Sequence, residues 1–203
     1  MGVIDEVIAG ILSTTWIEGF GVLTGITYVI LAAQKQIACW SFAIISTSIY
    51  IYLCITKQLY IESGLQVFYL IMGVYGWLKW NADEVDDLPI KRWLLKYHLV
   101  NILISTILTF VLGFIMETYT AQKSPYLDAF TTVFSLAATF MVTQRVLGNW
   151  IYWIVIDVAL AVLYSSRDLY LTGLQYGVFT VIAIFAFYKW WNYYSQQQFA
   201  QSK

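Results

Sequence analysis

Charged side chains are scarce in this sequence, and their scarcity excludes a water-soluble globule. Asp, Glu, Lys and Arg make up 11% of the 203 residues, against about 25% in typical soluble domains. Hydrophobic residues account for 60%, and the mean hydropathy is +0.69. Because so few charges cannot cover a folded surface in water, we predict an integral membrane protein in a lipid bilayer. The formal net charge of −1 argues against a nucleic-acid partner.

The residues that carry most soluble-enzyme chemistry are scarce as well. Histidine occurs once, as His98, and Cys39 and Cys54 lie in apolar stretches without metal-ligand spacing. The sequence contains no phosphate-binding loop, zinc-protease helix or nucleophile elbow. We therefore predict a protein that is not an enzyme, with no catalytic residue, no metal and no cofactor. Asp5 and Glu6 stand where a cleavable signal peptide would carry basic residues.

Long apolar runs, by contrast, are abundant. A helix needs roughly 20 residues to cross a bilayer. We predict an all-α membrane protein whose seven spans cover 16–33, 37–56, 59–78, 93–116, 126–143, 149–166 and 169–188. Both prolines of the sequence, Pro89 and Pro125, fall in the connections between these runs.

The chain also repeats itself at an offset of 110 residues. Residues 17–81 align with 127–191 without a gap, so that Trp40 matches Trp150. Further matched pairs are Glu18/Asp128, Lys35/Arg145, Lys57/Arg167 and Trp80/Trp190. The lone fourth helix between the two triplets gives both the same orientation, which makes the repeat parallel. In a membrane protein, such a repeat indicates a transporter whose substrate path lies where the halves meet.

This organisation divides the chain into five parts. They are an N-terminal interfacial segment (1–15), a first three-helix repeat (16–81), an acidic loop and linker helix (82–125), a second three-helix repeat (126–192) and a cytoplasmic tail (193–203). Eight of the eleven Lys and Arg residues fall on one side of the predicted spans. Because basic residues mark the cytoplasmic side, we predict an outside N-terminus and a cytoplasmic C-terminus.

Polar side chains at membrane depth are the candidate functional residues, and Asp157 is the clearest. It lies halfway along the sixth span, where a charge costs about 2.5–3.5 kcal/mol and needs a partner or a water-filled cavity. Asn149, Trp153 and Asp157 follow one another at a spacing of four, and Trp150 shares their helix face. An acid beside aromatic rings suits a flat, cationic ligand. The alternative is a structural aspartate bonded to a neighbouring helix.

Other spans add weaker candidates. Gln66 and Tyr69 share a face of the third span, Gln175 lies at the equivalent depth in the seventh, and Thr47 is the repeat counterpart of Asp157. We predict that they contact substrate, although each can instead bond to a helix. Trp77 and Trp190 form a possible gate, and the alternative is an aromatic belt at the membrane surface.

Four of these motifs resemble the PnuC-type vitamin transporters, the nicotinamide riboside uptake family. The resemblance extends from about Trp16 to Asn192. The motifs are Trp16-Ile17-Glu18, Gln66-Val67-Phe68, Tyr75-Gly76-Trp77-x-x-Trp80 and Asn149-Trp150-x-x-Trp153-x-x-x-Asp157. The resemblance implies a 3+1+3 layout similar to that of the SWEET sugar transporters. It also implies a bacterial inner-membrane location and a homotrimer with one pathway per protomer.

The resemblance further implies a uniporter that lets nicotinamide riboside equilibrate across the membrane by alternating access, while a cytoplasmic kinase traps it. Gln66, Trp153 and the residue at position 157 would then contact the substrate. The family often has asparagine where this chain has Asp157. Nicotinamide riboside and thiamine are both aromatic cations, so thiamine remains an alternative substrate.

Two further functions compete with transport. An intramembrane enzyme or receptor would use Asp157 as an acid–base group, but a single deep acid without a partner acid, histidine or metal set argues against catalysis. A structural subunit would pair its polar residues from helix to helix. We favour the transporter because of the parallel repeat.

Overall fold

The chain folds as a bundle of helices in a computed structural model. The structure describes residue 8 and residues 15–56, 60–82, 89–121, 123–167 and 169–201. Within these ranges the helices are α1 (Trp16–Ala33), α2 (Cys39–Thr56), α3 (Tyr60–Asn81), α4 (Leu95–Tyr119), α5 (Pro125–Thr143), α6 (Asn149–Ser165) and α7 (Tyr170–Gln201). The predicted all-α fold with seven helices is confirmed.

Apolar length decides which helices can cross a membrane unaided. Five helices of the described chain are long and apolar enough to do so, namely α1, α2, α4, α5 and α7. Helix α6 is apolar but has only 17 residues. Helix α7 has 32 residues, about 48 Å at 1.5 Å per residue, and so exceeds the roughly 30 Å hydrocarbon layer. Helix α7 ends at Gln201, so most of the tail predicted at 193–203 is helical.

The predicted interfacial segment lies outside the described residues except for Ile8 and Thr15, and the acidic residues 83–87 lie outside them entirely.

Matched acids lie at the starts of α1 and α5. The Oγ1 atom of Thr15 accepts from the N–H of Glu18 at 3.3 Å, and a Glu18 carboxylate oxygen accepts from the N–H of Thr15 at 3.0 Å, which forms a capping box. In the second repeat, Asp128 instead forms an ion pair with Arg167 at 2.5 Å. Glu18 therefore caps the start of α1, and Asp128 joins the start of α5 to the residues that follow α6.

Helices α1 and α5 end in the same unusual turn. Lys35 and Arg145 have φ values of 58° and 57°, in the left-handed region. The N–H of Lys35 donates to the carbonyl of Ala32 at 3.0 Å, and that of Arg145 donates to the matched carbonyl of Val142 at 2.9 Å. The next residue of each turn donates to the carbonyl five positions earlier, which completes a Schellman motif. Because non-glycine residues rarely adopt this backbone, its recurrence 110 residues apart shows that the sequence repeat is also structural.

Helix contacts follow the same symmetry. Helix α2 packs against α1 and α3, and α6 packs against α5 and α7. Two contacts join the triplets, α1 with α7 and α3 with α5, while α4 packs against α5. An approximate two-fold axis relates the triplets, because α1 corresponds to α5 and α3 corresponds to α7. The contact between α1 and α7 is therefore equivalent to the contact between α5 and α3. The 3+1+3 organisation stays a prediction that this contact pattern supports.

The structure has two ends that differ in charge. We call the end that holds the turns 34–38 and 144–148 the basic end, because Lys35, Lys91 and Arg145 lie there. The segment before α4 is fastened to this end: the N–H of Lys91 donates to the carbonyl of Arg145 at 2.9 Å, and the N–H of Leu147 donates to the carbonyl of Lys91 at 2.9 Å. The chain between the two triplets thus closes against the second repeat.

Gly76 lets α3 approach the indole of Trp40, and enlarging it should destabilise the fold. A Cβ at residue 76 would overlap three ring atoms of Trp40, a side chain that is only 1% exposed. We expect Gly76→Ala to lower the free energy of unfolding by about 1–3 kcal/mol through overpacking. Gly64→Ala in the same helix is the matched control, because a Cβ there meets nothing within 4 Å. Equal shifts of the two melting temperatures in detergent would contradict this packing.

Candidate substrate site

Asp157 lies in the middle of α6, and no residue of the described chain supplies it with a countercharge. Its side chain is 4% exposed and makes no hydrogen bond or ion pair within the described residues. Its electrostatic neighbours include Tyr69 of α3 and Tyr176 of α7. The acid of the second repeat therefore lies near phenols from both repeats. The predicted alternative, an aspartate bonded to a neighbouring helix, is not what the described residues show.

Further residues contact the two tyrosines that neighbour this acid. Tyr176 stacks on Tyr164, with ring centroids 5.4 Å apart and planes inclined by 8°. The hydroxyls of Tyr69 and Ser135 share a hydrogen bond of 2.6 Å, which joins α3 to α5 across the repeats. Tyr28 of α1 is a further electrostatic neighbour of Tyr69. Stacked phenols beside an acid give a surface on which a flat aromatic cation can rest.

Three of the predicted substrate contacts are amide or hydroxyl side chains, and they differ in which protein groups they interact with. Gln66 is half-buried one turn before Tyr69, and its side chain makes no hydrogen bond within the described residues. Gln175 is an electrostatic neighbour of the Tyr50 hydroxyl on α2. The Thr47 hydroxyl donates to carbonyls of its own helix, the nearer at 2.8 Å. Of these three predicted contacts, Gln66 is the one whose amide is available to a ligand.

The predicted face of α6 divides into two parts. Asn149 is fully buried, and its Nδ2 donates to the carbonyl of Val146 at 2.7 Å. Trp150 is 3% exposed and packs edge-on against Trp190, with centroids 5.5 Å apart. Trp153 is only partly buried and packs against the same apolar core. The first turn of α6 thus serves packing at the basic end, while Trp153 and Asp157 lie farther along.

The two predicted gate residues, Trp77 and Trp190, differ in how far they are buried. Trp190 has no exposed surface, whereas Trp77 is 44% exposed. An exposed tryptophan near the end of a membrane helix suits the aromatic belt. Trp80 lies with Trp190 in the interior instead, with ring centroids 6.4 Å apart.

Sequence reasoning missed Ser135, Tyr28 and Tyr164 as neighbours of the site. Each pairs with a residue on another helix, and the periodicity of a single helix does not show such pairings. The repeat contained one usable signal, because an offset of 110 places Tyr176 opposite Gln66. Two residues matched in the repeat and facing the same centre are joint candidates for a shared site.

A duplicated bundle of apolar helices, with a buried acid that has no ion pair within the described ranges and lies near tyrosines from both halves, has the architecture of a multi-pass membrane transporter. Comparison with protein families makes the assignment specific. The family model described as nicotinamide mononucleotide transporter matches residues 15–192, and the chain belongs to this family. The resemblance to PnuC-type transporters is confirmed.

Individual relatives agree with this family. The nicotinamide riboside transporter PnuC of Escherichia coli (strain K12) is 25% identical over 211 aligned positions, which cover 91% of this chain and 88% of the relative. The protein of the same name from Haemophilus influenzae is 22% identical over 183 positions, covering 87% and 79%. A solved structure described as the crystal structure of the vitamin B3 transporter PnuC matches with a TM-score of 0.74 and 20% identity, covering 96% of this chain and 88% of that one. The fold is therefore shared with a known vitamin transporter.

Proposed function

We propose that the chain carries nicotinamide riboside across the bacterial inner membrane by facilitated diffusion. The observation that carries this proposal is Asp157, a buried acid that has no countercharge among the residues the structure describes and lies near Tyr69 and Tyr176, one from each repeat. A pyridinium cation supplies the missing charge and a flat ring for stacking. The names of the relatives support the same substrate.

Each side chain then has a distinct part in binding. The Asp157 carboxylate balances the positive charge, Trp153 and the Tyr164–Tyr176 stack offer aromatic faces, and Gln66 can hydrogen-bond the amide or ribose of the substrate. Tyr69, fixed by Ser135, holds α3 against α5 beside the acid. Rocking of one triplet against the other exposes this site to each side in turn.

The rest of the transport cycle follows from the same proposal. The N-terminus lies outside and the basic end faces the cytoplasm, because basic residues accumulate on the cytoplasmic side. A cytoplasmic kinase phosphorylates the riboside and retains it, so net uptake needs no coupled ion. Three copies form a homotrimer, each with its own pathway. The protein catalyses no reaction itself.

Thiamine is the second candidate substrate, and Asp157 is the observation that favours it. The family often carries asparagine at this position, and a carboxylate can grip an aminopyrimidine through a charge-assisted hydrogen bond. Thiamine is also an aromatic cation, so the same tyrosines would accept its rings.

Uptake into proteoliposomes tests the mode of transport. Labelled nicotinamide riboside is expected to reach equal concentrations on both sides, with or without a proton gradient, because nothing in the proposed cycle couples it to an ion. Protein-free liposomes provide the background. Uphill accumulation without a kinase would rule out facilitated diffusion, and tight competition by thiamine with none by the riboside would replace the substrate.

A further inference from the structure

Four buried tryptophans form a symmetric group at the basic end, which we call the tryptophan cluster: Trp40, Trp80, Trp150 and Trp190. None is more than 3% exposed. Trp40 meets Trp80 edge-on at 5.2 Å, and Trp150 meets Trp190 edge-on at 5.5 Å, both at 87°. The repeat offset converts the first pair into the second. The cluster therefore draws α2 and α3 of one repeat together with α6 and α7 of the other.

Two of these indoles are bonded across the boundary between the repeats. The Trp80 Nε1–H donates to the carbonyl of Thr143, the last residue of α5, at 3.1 Å. The Trp190 Nε1–H donates to the carbonyl of Ala32, near the end of α1, at 3.2 Å. The Thr143 carbonyl accepts no other hydrogen bond within the described residues, whereas the Ala32 carbonyl also accepts from the N–H of Lys35 at 3.0 Å. The third helix of each repeat thus fastens the first helix of the other.

The N–H groups of the other two indoles are not hydrogen-bonded to any described residue. The Nε1 atoms of Trp40 and Trp150 are buried and have no hydrogen-bond partner within the described residues. An unsatisfied buried donor costs at least as much as a satisfied one contributes. The closed cluster therefore holds two paired and two unpaired indole donors. An opening that lets water reach Trp40 and Trp150 would satisfy the two unpaired donors, which lowers the cost of the open state.

We propose that the tryptophan cluster is a latch that closes the basic end and opens as α3 and α7 withdraw from the ends of α5 and α1. Withdrawal breaks both cross-repeat bonds, because the matched donors Trp80 and Trp190 reach the ends of matched helices, at carbonyls that differ by one residue in the repeat. Trp80 replaces the exposed Trp77 as the partner of Trp190 in this gate. Its role in admitting a vitamin rests on the proposed function, but its opening can be measured without substrate.

The accessibility of Cys39 to a thiol reagent measures the opening of the latch. This cysteine precedes Trp40, is fully buried at the basic end, and becomes the sole thiol once Cys54 is replaced by alanine. The test measures the rate at which a membrane-impermeant maleimide labels Cys39 in sealed vesicles of each orientation. Trp80→Phe and Trp190→Phe keep an aromatic ring but remove the bonded N–H. Each is expected to raise labelling from the basic face by about threefold to tenfold, and the double variant by roughly the product.

The matched control is Trp77→Phe with Trp191→Phe, which removes two indoles that are 44% and 41% exposed near the same end. Its labelling rate is expected to stay within about twofold of the parent, since neither indole donates across the repeats to any described residue, and a bond worth less than about 0.5 kcal/mol changes a rate by about twofold. Unchanged labelling in the double latch variant, an equal rise in the control, or an equal rise from both faces would each overturn the latch. If the double variant does not accumulate, the labelling rates of the single variants provide the test, and unchanged rates in both would overturn the latch. A latch that labels as expected in a protein that does not transport nicotinamide riboside would refute the substrate alone.

Discussion

Asp157→Asn is expected to weaken binding of a cationic vitamin by about 10-fold to 100-fold, the value of a hydrogen bond to a charged group. The same change is expected to raise the melting temperature of the empty protein. The carboxylate is 4% exposed and has no ion pair or hydrogen bond within the described residues. Placing an aspartate at the centre of a membrane helix costs about 2.5–3.5 kcal/mol on insertion scales, and a neutral amide of similar shape costs less because it is never charged.

The opposite signs of the two effects make this prediction specific. A binding residue that is strained in the absence of its ligand loses affinity and gains stability when it is neutralised, whereas a structural aspartate loses stability. Ligand binding by calorimetry and thermal unfolding of the same purified sample provide the two measurements. Glu117→Gln, an acid at the end of α4 that bonds the Tyr126 hydroxyl at 2.9 Å, is the control and should change neither strongly. Lower stability with unchanged affinity would show that Asp157 serves the fold.

The variant also separates the two candidate substrates. If thiamine depends on a charge-assisted bond to its aminopyrimidine, Asp157→Asn should reduce thiamine binding more than nicotinamide riboside binding. Equal losses would indicate that the acid recognises positive charge alone. A gain in riboside affinity would mean that asparagine is the better partner for the nicotinamide amide.

Helix positions could be predicted from the sequence because membrane spans are continuous apolar runs of fixed length. The starts of α1 and α6 were predicted at the residues where the structure has them, and the ends of α1, α2 and α5 agree as well. Helix α7 continues beyond the predicted span 169–188 because its last turns contain glutamines at 196–198, which are good helix formers without being apolar. Hydropathy identifies the part of a helix that meets lipid, not the part that continues into water.

The site could be predicted only in part. Periodicity placed Trp150, Trp153 and Asp157 near one face of α6, but it could not show that α7 brings Trp190 against Trp150 and leaves Trp153 partly open. The bond between Tyr69 and Ser135 joins residues 66 positions apart and leaves no local pattern. The repeat was the one long-range signal, and it predicted matched turns and tryptophans better than it predicted the site.

Trp150 and Trp153 lie three residues apart in α6, and their replacement by alanine should have different consequences. Trp150 is 3% exposed inside the tryptophan cluster, so Trp150→Ala is expected to lower the free energy of unfolding by about 3–5 kcal/mol, as for other large-to-small core changes. Trp153 is only partly buried, so Trp153→Ala should cost distinctly less stability. Its loss should instead weaken vitamin binding by about tenfold, the scale of one stacking or cation–π contact.

Thermal unfolding and ligand binding on the two purified variants distinguish packing from recognition. Trp150→Phe is a useful intermediate, because it keeps a ring against Trp190 and should recover much of the stability that alanine loses. Recovery of folding by Trp150→Phe together with normal affinity would place Trp150 in the core. If Trp150→Phe folds as well as the parent but no longer binds the vitamin, then Trp150 contacts substrate as its sequence position predicts, and the boundary of the site must be moved one turn toward the basic end.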